Sequence, residues 1–253
     1  MKIVFPEIKN VVAEEATRYF RDIEFLGAEN LDLAVKMVAE GRADSMISGL
    51  DYASREVVIA YKNHLELKSR YFSSCFICER EGRHLVIADG GVNKMPDKEQ
   101  LYTITEDSAR TYADYYGETP KIAMLSYSTA GSGGKNPDLE KIYYVIEKIR
   151  EEHPEWMIEG EMQLDVAVNS KVARRKVPDS RLRGEANVLI VPDLNSGNIL
   201  YKALEQFGGF IVAGPIIQGF KMPLADLSRG STVMDVVLTI GVIRKQLLKF
   251  GVS

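Results

Sequence analysis

The stretch Asn187-Val-Leu-Ile-Val-Pro-Asp-Leu-Asn-Ser-Gly-Asn198 decides how the rest of the chain reads. Its first half is an unbroken apolar run closed by Pro192, the pattern of a strand covered on both faces. Its second half turns polar and leads into a helix predicted over Gly197–Phe207, with Tyr201 and Lys202 inside it. A buried strand feeding a helix is the repeating unit of a parallel α/β sheet. Working outward, the same alternation recurs. Short apolar runs at Lys2–Phe5, Ile23–Leu26 and Ser45–Ser48 are separated by helical patterns. These cover Val11–Phe20, the segment between an Asn30 cap and a Gly41 stop, and a helix capped by Asp51 or Ser54 that runs to about Leu67. A second group contains strands at Tyr71–Cys78, His84–Ala88 and Lys121–Ser126, with helices over Lys98–Tyr116 and, behind Asn136, Pro137–Glu152. Gly160–Val168 fits a strand or a helix. Ile211–Ala213 and Pro215–Ile217 read as two runs around a glycine-rich bend, and a final helix spans Thr232–Phe250 between a Ser231 cap and a Gly251 stop. The grouping predicts two α/β lobes facing a cleft.

The 253 residues are 45% hydrophobic and 27% charged, with a formal net charge of −4. That balance describes a globular protein and argues against nucleic acid as the main partner, since phosphate neutralisation needs a basic surface. One basic run, Lys171-Val-Ala-Arg-Arg-Lys176, reads as a solvated face or a contact for an anion. No apolar run reaches bilayer length and Met1–Pro6 lacks a signal peptide's apolar region, so the expected location is the cytoplasm, with no membrane partner. Cys75 and Cys78 fall three apart on a predicted strand and so point to opposite faces, which leaves both as core thiols. His64, His84 and His153 are scattered, and no metal is implied.

Ligands of open parallel sheets gather at the carboxyl ends of strands. Three such ends are polar. Tyr127-Ser-Thr-Ala-Gly-Ser-Gly-Gly-Lys135 combines hydroxyls with glycines and suits a nest of N–H groups around an anion, or a plain flexible turn. Asp193–Asn198 places amides and a hydroxyl at a helix N-terminus. Ala88-Asp-Gly-Gly-Val-Asn93 reads as a tight turn. Apart from these strand ends, Asp226-Leu-Ser-Arg-Gly-Ser-Thr-Val-Met-Asp235 sets a hydroxyl, a guanidinium and a glycine before a helix whose first turn carries Asp235. Asp235 is there a proton acceptor beside a bound anion, or simply a complement to the helix dipole.

Taken in order, several pieces resemble the phosphate acetyltransferase/phosphate butyryltransferase family. They are Ala123-Met-Leu-Ser-Tyr-Ser-Thr-Ala-Gly-Ser132, Gly160-Glu-Met-Gln-Leu-Asp165, Lys176-Val-Pro-Asp-Ser180, Pro192-Asp-Leu-Asn-Ser-Gly-Asn-Ile-Leu-Tyr-Lys202, Gly214-Pro-Ile216 and Asp226-Leu-Ser-Arg-Gly230. The resemblance implies two three-layer α/β lobes with mainly parallel sheets and an intervening active-site cleft, like those of isocitrate and isopropylmalate dehydrogenases. Residues 1–70 with 216–253 would form one lobe and 71–215 the other. It implies the reaction acyl-CoA + phosphate ⇌ acyl phosphate + CoA, with coenzyme A as a substrate, no bound cofactor, and commonly a homodimer. By motif, Asp235 would deprotonate the CoA thiol, Ser228 would assist the reacting carbonyl and Arg229 would hold phosphate charge. Ser128, Thr129, Gly131, Asn195, Ser196, Tyr201 and Lys202 would bind phosphate or acyl phosphate.

The chain departs from the family pattern in a shortened stretch before Gly49. It also has Ile59 and Gln206 where arginines are expected, and neither can reproduce a bidentate phosphate contact. Arg55 and Lys62 lie four and three positions from Ile59 on one predicted helix face and are candidate replacements. Two further readings stand beside the enzyme. One is a non-catalytic protein that binds acyl-CoA or acyl phosphate; the other is a transferase using an acyl carrier protein docked on the Lys171–Lys176 run.

Overall fold

In the computed structural model, which describes residues 1–252, strands and helices alternate along almost the whole chain. The chain divides into two compact units, Met1–Phe72 with Ile211–Ser253, and Ser73–Phe210. The first opens with β1 (Lys2–Val4), α1 (Val11–Thr17), β2 (Glu24–Leu26), α2 (Leu31–Ala39), β3 (Ser45–Ser48) and α3 (Ser54–His64). The second unit holds β4 (Ser73–Arg80), β5 (Arg83–Ala88), α4 (Lys98–Tyr116), β6 (Lys121–Leu125), α5 (Pro137–Glu152), β7 (Met157–Met162), α6 (Leu164–Val168), α7 (Ser170–Lys176), β8 (Val188–Ile190) and α8 (Leu194–Gln206). The chain then completes the first unit with β9 (Ile211–Gln218), β10 (Leu224–Asp226) and α9 (Val233–Lys249).

In the first unit the strands run β2-β1-β3-β10-β9, parallel except for β9, which is antiparallel to β10. Ile3, Val4, Phe5, Met46 and Ile47 are fully buried, because parallel strands covered by helices carry apolar side chains on both faces. The helix α9 packs on β9 and α1, and α2 packs on α3. In the second unit the order is β4-β5-β8-β6-β7, with only the β4–β5 hairpin antiparallel. Cys75 and Cys78 lie opposite Ala88 and Leu85, both buried and neither in a disulfide, so both faces of β4 are covered. Burial, followed by the charge of Asp89, holds the Cys75 thiol well above its ordinary pKa.

Helix starts follow the predicted chemistry in places and revise it in others. Asn30 caps α2 by accepting the Leu33 N–H at 2.9 Å, and Asn136 caps α5 by accepting that of Asp138 at 2.8 Å. The start of α3 is Ala53, not Asp51 or Ser54; Glu56 reaches back to the Ala53 N–H at 3.0 Å. Asp51 is drawn away because its N–H is donated to Glu7 at 3.2 Å and its carboxylate accepts from Asn10 at 3.0 Å. The cap of α9 is Thr232, not Ser231, since Thr232 and Asp235 form a reciprocal capping box. Capped by Asp193, α8 starts at Leu194, three residues ahead of the predicted Gly197. The ambiguous Gly160–Val168 segment resolves into the end of β7 followed by α6. The expected bend between Ile211 and Ile217 is instead one continuous strand, β9, whose Val212 N and Gly214 N bond to Asp235 and Thr239 of α9 while Ile216 and Ile217 pair with β10.

Close backbone approach fixes how α8 meets the turn after β5. A Cβ on Gly197 would lie 2.3 Å from the Asp89 carbonyl oxygen, so only glycine lets the helix start there. Replacing Gly197 by Ala should therefore destabilise the protein by about 1–3 kcal/mol, read as a lower urea midpoint at unchanged slope.

Candidate active site

In the first unit, the parallel strands β1, β3 and β10 end side by side, with Val4 registered against Met46 and Asp226 against Ser48. Glu7, just after β1, is buried and ties its loop to the one after β3: it accepts from Gly49 N at 2.8 Å, Asp51 N at 3.2 Å and Ser48 Oγ at 2.9 Å. After β10 the chain makes the Ser228–Gly230 turn, in which Gly230 N donates to Ser228 Oγ at 3.3 Å and Ser231 N to Ser228 O at 2.9 Å. Ser228 is half-buried with its hydroxyl hydrogen uncommitted, and Arg229 is exposed with no partner among the described residues. An unpaired guanidinium at the mouth of a turn that precedes a helix is well placed to meet an anion.

Asp235 sits at the third position of α9 and is only 3% exposed. Its Oδ2 accepts from Thr232 N and Thr232 Oγ1, both at 2.7 Å, and its Oδ1 accepts from Val212 N at 2.9 Å. A carboxylate offers about four acceptor directions, so one, on Oδ1, carries no donor. The side chain is thus a structural cap first, oriented from three sides. On α3, Arg55 and Lys62 are exposed and form no ion pair among the described residues, and Ile59 is 45% exposed between them, so one face of this helix presents two cations around an apolar spot.

The second unit gives its predicted phosphate loop a different occupant. Ser128 is buried, and its hydroxyl donates to Glu161 Oε1 at 2.8 Å while accepting from Gly133 N at 2.7 Å. Gly131 N donates to the same Glu161 oxygen at 2.8 Å, and Tyr143 OH donates to the other. Thr129 Oγ1 accepts from Gln163 N at 2.9 Å. The nest of donors is real, but the anion it holds here is the chain's own carboxylate. Burial raises the Glu161 pKa, yet the donors from Tyr143, Gly131 and Ser128 outweigh it and leave the group below its ordinary range.

The α8 end is similarly mixed. Ser196 serves Asp193 in the cap, at 2.9 Å from its N–H and 3.2 Å from its hydroxyl, whereas Asn195 is exposed without a side-chain partner. Tyr201 is a packing residue, its ring stacked on Phe76 at 3.7 Å between centroids, and Lys202 rests its ammonium 4.9 Å from that ring. The turn after β5 is held by Asp89, which accepts from Gly91 N at 2.9 Å, Val92 N at 3.1 Å, Asn93 N at 3.0 Å and the Ser74 hydroxyl. In the basic run, Arg174 and Arg175 are exposed, and Lys176 is bonded to Asp165 at 2.9 Å. His153 is not isolated: one ligand atom each from Glu106, Glu152 and His153 fall within 4.8 Å of one another. Arg110 at 2.8 Å from Glu106 and the Tyr102 hydroxyl on Glu152 already satisfy that group.

The geometry has close counterparts. Residues 7–243 match the phosphate acetyl/butaryl transferase family. The chain belongs to that family. It is 38% identical to the phosphate acetyltransferase of Corynebacterium glutamicum over 92% of its length, spanning 69% of that protein. It is also 38% identical to the phosphate acetyltransferase of Nitratidesulfovibrio vulgaris over 92% of its length, but spans only 32% of that longer protein. A phosphotransacetylase from Streptococcus pyogenes superposes with a TM-score of 0.86 at 28% identity, covering 98% of this chain and 94% of its own. Dehydrogenase structures at 10–11% identity share the fold alone.

Three residues that organise these ends were absent from the sequence expectations: Glu7, Asp226 and Glu161. Glu161 lies inside a family-like motif, yet nothing in its spacing marks it as the partner of a loop thirty residues earlier. Glu161→Leu should cost about 1–3 kcal/mol by stranding its donors. A lowered carboxylate pKa gives stability that is complete above the unfolded value and fades as pH falls through the folded one. Urea titrations should therefore show the gap between wild type and variant closing in acid.

Proposed function

We propose that the protein exchanges coenzyme A and phosphate on an acyl group, acyl-CoA + phosphate ⇌ acyl phosphate + CoA, with acetyl or another short chain as the acyl group. The observation that carries this reading is the Ser228–Arg229 turn, with its guanidinium unpaired among the described residues, leading into the helix that holds Asp235. In the direction of thioester synthesis, the CoA thiol gives its proton to the open acceptor direction of Asp235 Oδ1. The sulfur then bonds to the acyl carbon, the carbon–oxygen bond to phosphate breaks, and phosphate leaves with the electron pair. Thiols are mostly protonated near neutral pH, so a base is needed. Thr232 and Val212 hold the carboxylate in place, Ser228 donates to the carbonyl oxygen on which charge develops, and Arg229 balances the phosphate.

Within the second unit, Asn195 in the first turn of α8 and Lys202 farther along that helix keep exposed polar ends suited to an anion. Ser128, Thr129 and Gly131 contribute through loop shape, as partners of Glu161 and Gln163. Arg55 or Lys62 supplies the positive charge that Ile59 and Gln206 do not. Family likeness supports a homodimer. Among the described residues no helix is long and apolar enough to cross a membrane, which agrees with small, water-borne substrates.

Purified protein given acetyl phosphate and CoA should form thioester, followed by its absorbance; ligand binding without thioester would contradict the reading. Asp235→Asn should lower turnover by roughly 10²–10⁴-fold. Near wild-type turnover in that variant would remove Asp235 as the base. Arg229→Gln should reduce kcat/KM for acetyl phosphate by roughly 10–100-fold, the worth of one charge-assisted contact.

A further inference from the structure

Glu7, Asp89, Glu161 and Asp235 are buried carboxylates that each accept several hydrogen bonds. Asp226 is buried to the same degree, 1% exposed, and neither of its oxygens has a hydrogen-bond partner. Buried polar groups left unpaired are rare and destabilising, so this one calls for an explanation. It stands at the last position of β10, two residues before Ser228.

The surroundings show what a neutral carboxyl does there. A Cβ on Gly49 would lie 2.4 Å from Asp226 Oδ1 and 2.6 Å from Leu227 N, so the Gly49 backbone rests flush against this junction. Leu227 N donates to Ser48 O at 2.6 Å, and Gly49 N donates to Glu7 at 2.8 Å. The seat of the Ser228–Gly230 turn is thus made of Asp226, Gly49 and, behind Gly49, the Glu7 carboxylate. The other titratable groups on neighbouring elements offer Asp226 no help. Tyr61 on α3 donates its hydroxyl to Ala225 O at 2.8 Å, and Asp235 on α9 is turned to Thr232 and Val212. Strands β3 and β9 bring no charged side chain. A charged Asp226 would face Glu7 with no cation beside it, and the nearby Ser54 hydroxyl is too weak to offset burial.

We propose that Asp226 is a positioning residue for Ser228 and Arg229: while its carboxyl is neutral the Leu227–Gly230 turn rests on Gly49, and charging that carboxyl displaces the turn. The inference rests on the acyl-exchange reading above. Burial, opposed by Ser54 and reinforced by Glu7, raises the Asp226 pKa to about 7, which puts the charging step in the neutral range. Between the ordinary carboxylate pKa and that value the folded chain holds a proton that the unfolded chain has released. Stability therefore falls as pH rises across that window and is level above it.

Thioester formation and thermal unfolding measured from about pH 5 to about pH 9 on wild type, Asp226→Asn and Glu7→Gln test this. Asparagine is the neutral isostere of the protonated acid. Glutamine at position 7 can keep both backbone bonds through its oxygen and donate to Ser48 through its nitrogen. Ratios of variant to wild type at each pH cancel the ionisation of the substrates. Wild-type kcat/KM for acetyl phosphate should fall several-fold relative to Asp226→Asn as the pH passes neutrality, and the two should agree in mild acid. The melting temperature of Asp226→Asn should exceed that of wild type by a margin that grows toward neutrality and then stays constant. Glu7→Gln, which removes the neighbouring charge, should move the wild-type fall to lower pH. A flat activity ratio across the range, or coincident melting curves, would overturn the proposal. So would an Asp226→Asn variant that folds but is inactive at every pH, because that would put the charged carboxylate in the chemistry itself. If wild type forms no thioester at any pH, the acyl-exchange reading fails, while the melting curves still report separately on Asp226.

Discussion

The carboxylate of Asp235 ties three parts of the first unit together: the first turn of α9, the Thr232 cap, and the backbone of β9 at Val212. Much of the proposed chemistry depends on that tie. It fixes where the last helix begins, and the helix start in turn fixes the turn that carries Ser228 and Arg229. A carboxylate held from three sides loses little entropy when it accepts a proton, and the same bonds that make it a cap also aim its remaining acceptor direction.

Carboxylates organise every polar strand end in this protein. Glu7 binds the loop after β3, Asp89 the turn after β5, and Glu161 the loop after β6. Each gathers backbone N–H groups that leave a sheet edge without partners, the accounting that any buried loop must satisfy. The consequence for anion binding is direct. A nest filled by an internal carboxylate has no donors left over for a second anion, so polar groups outside the nests, such as Arg229 in the first unit, are the better candidates for one.

The fold was largely legible because parallel α/β chains advertise themselves through uninterrupted runs such as Val188-Leu-Ile190 and caps such as Asn30 and Asn136. Local errors arose where tertiary partners compete with local preference. Asp51 is a natural cap by type, but Glu7 and Asn10 claim it, and Ser231 loses to Thr232 because Asp235 can answer only one of them. Of the candidate site, the turn of Ser228 and Arg229 and the Asp235 helix start were legible, because their spacing is local. The site was not legible at Glu161, Glu7 or Asp226, whose meaning comes from loops distant in sequence. Tyr201 shows the opposite failure: it stands in a polar, family-like stretch, yet stacking on Phe76 makes it core.

Exchange of isotopically labelled phosphate into acetyl phosphate tests the central claim most directly, since it needs both half-reactions at one site. The account predicts that label enters acetyl phosphate only when a catalytic amount of CoA is present, and that the rate collapses in Asp235→Asn. Label entering equally well without CoA, or not entering at all with CoA present, would contradict it.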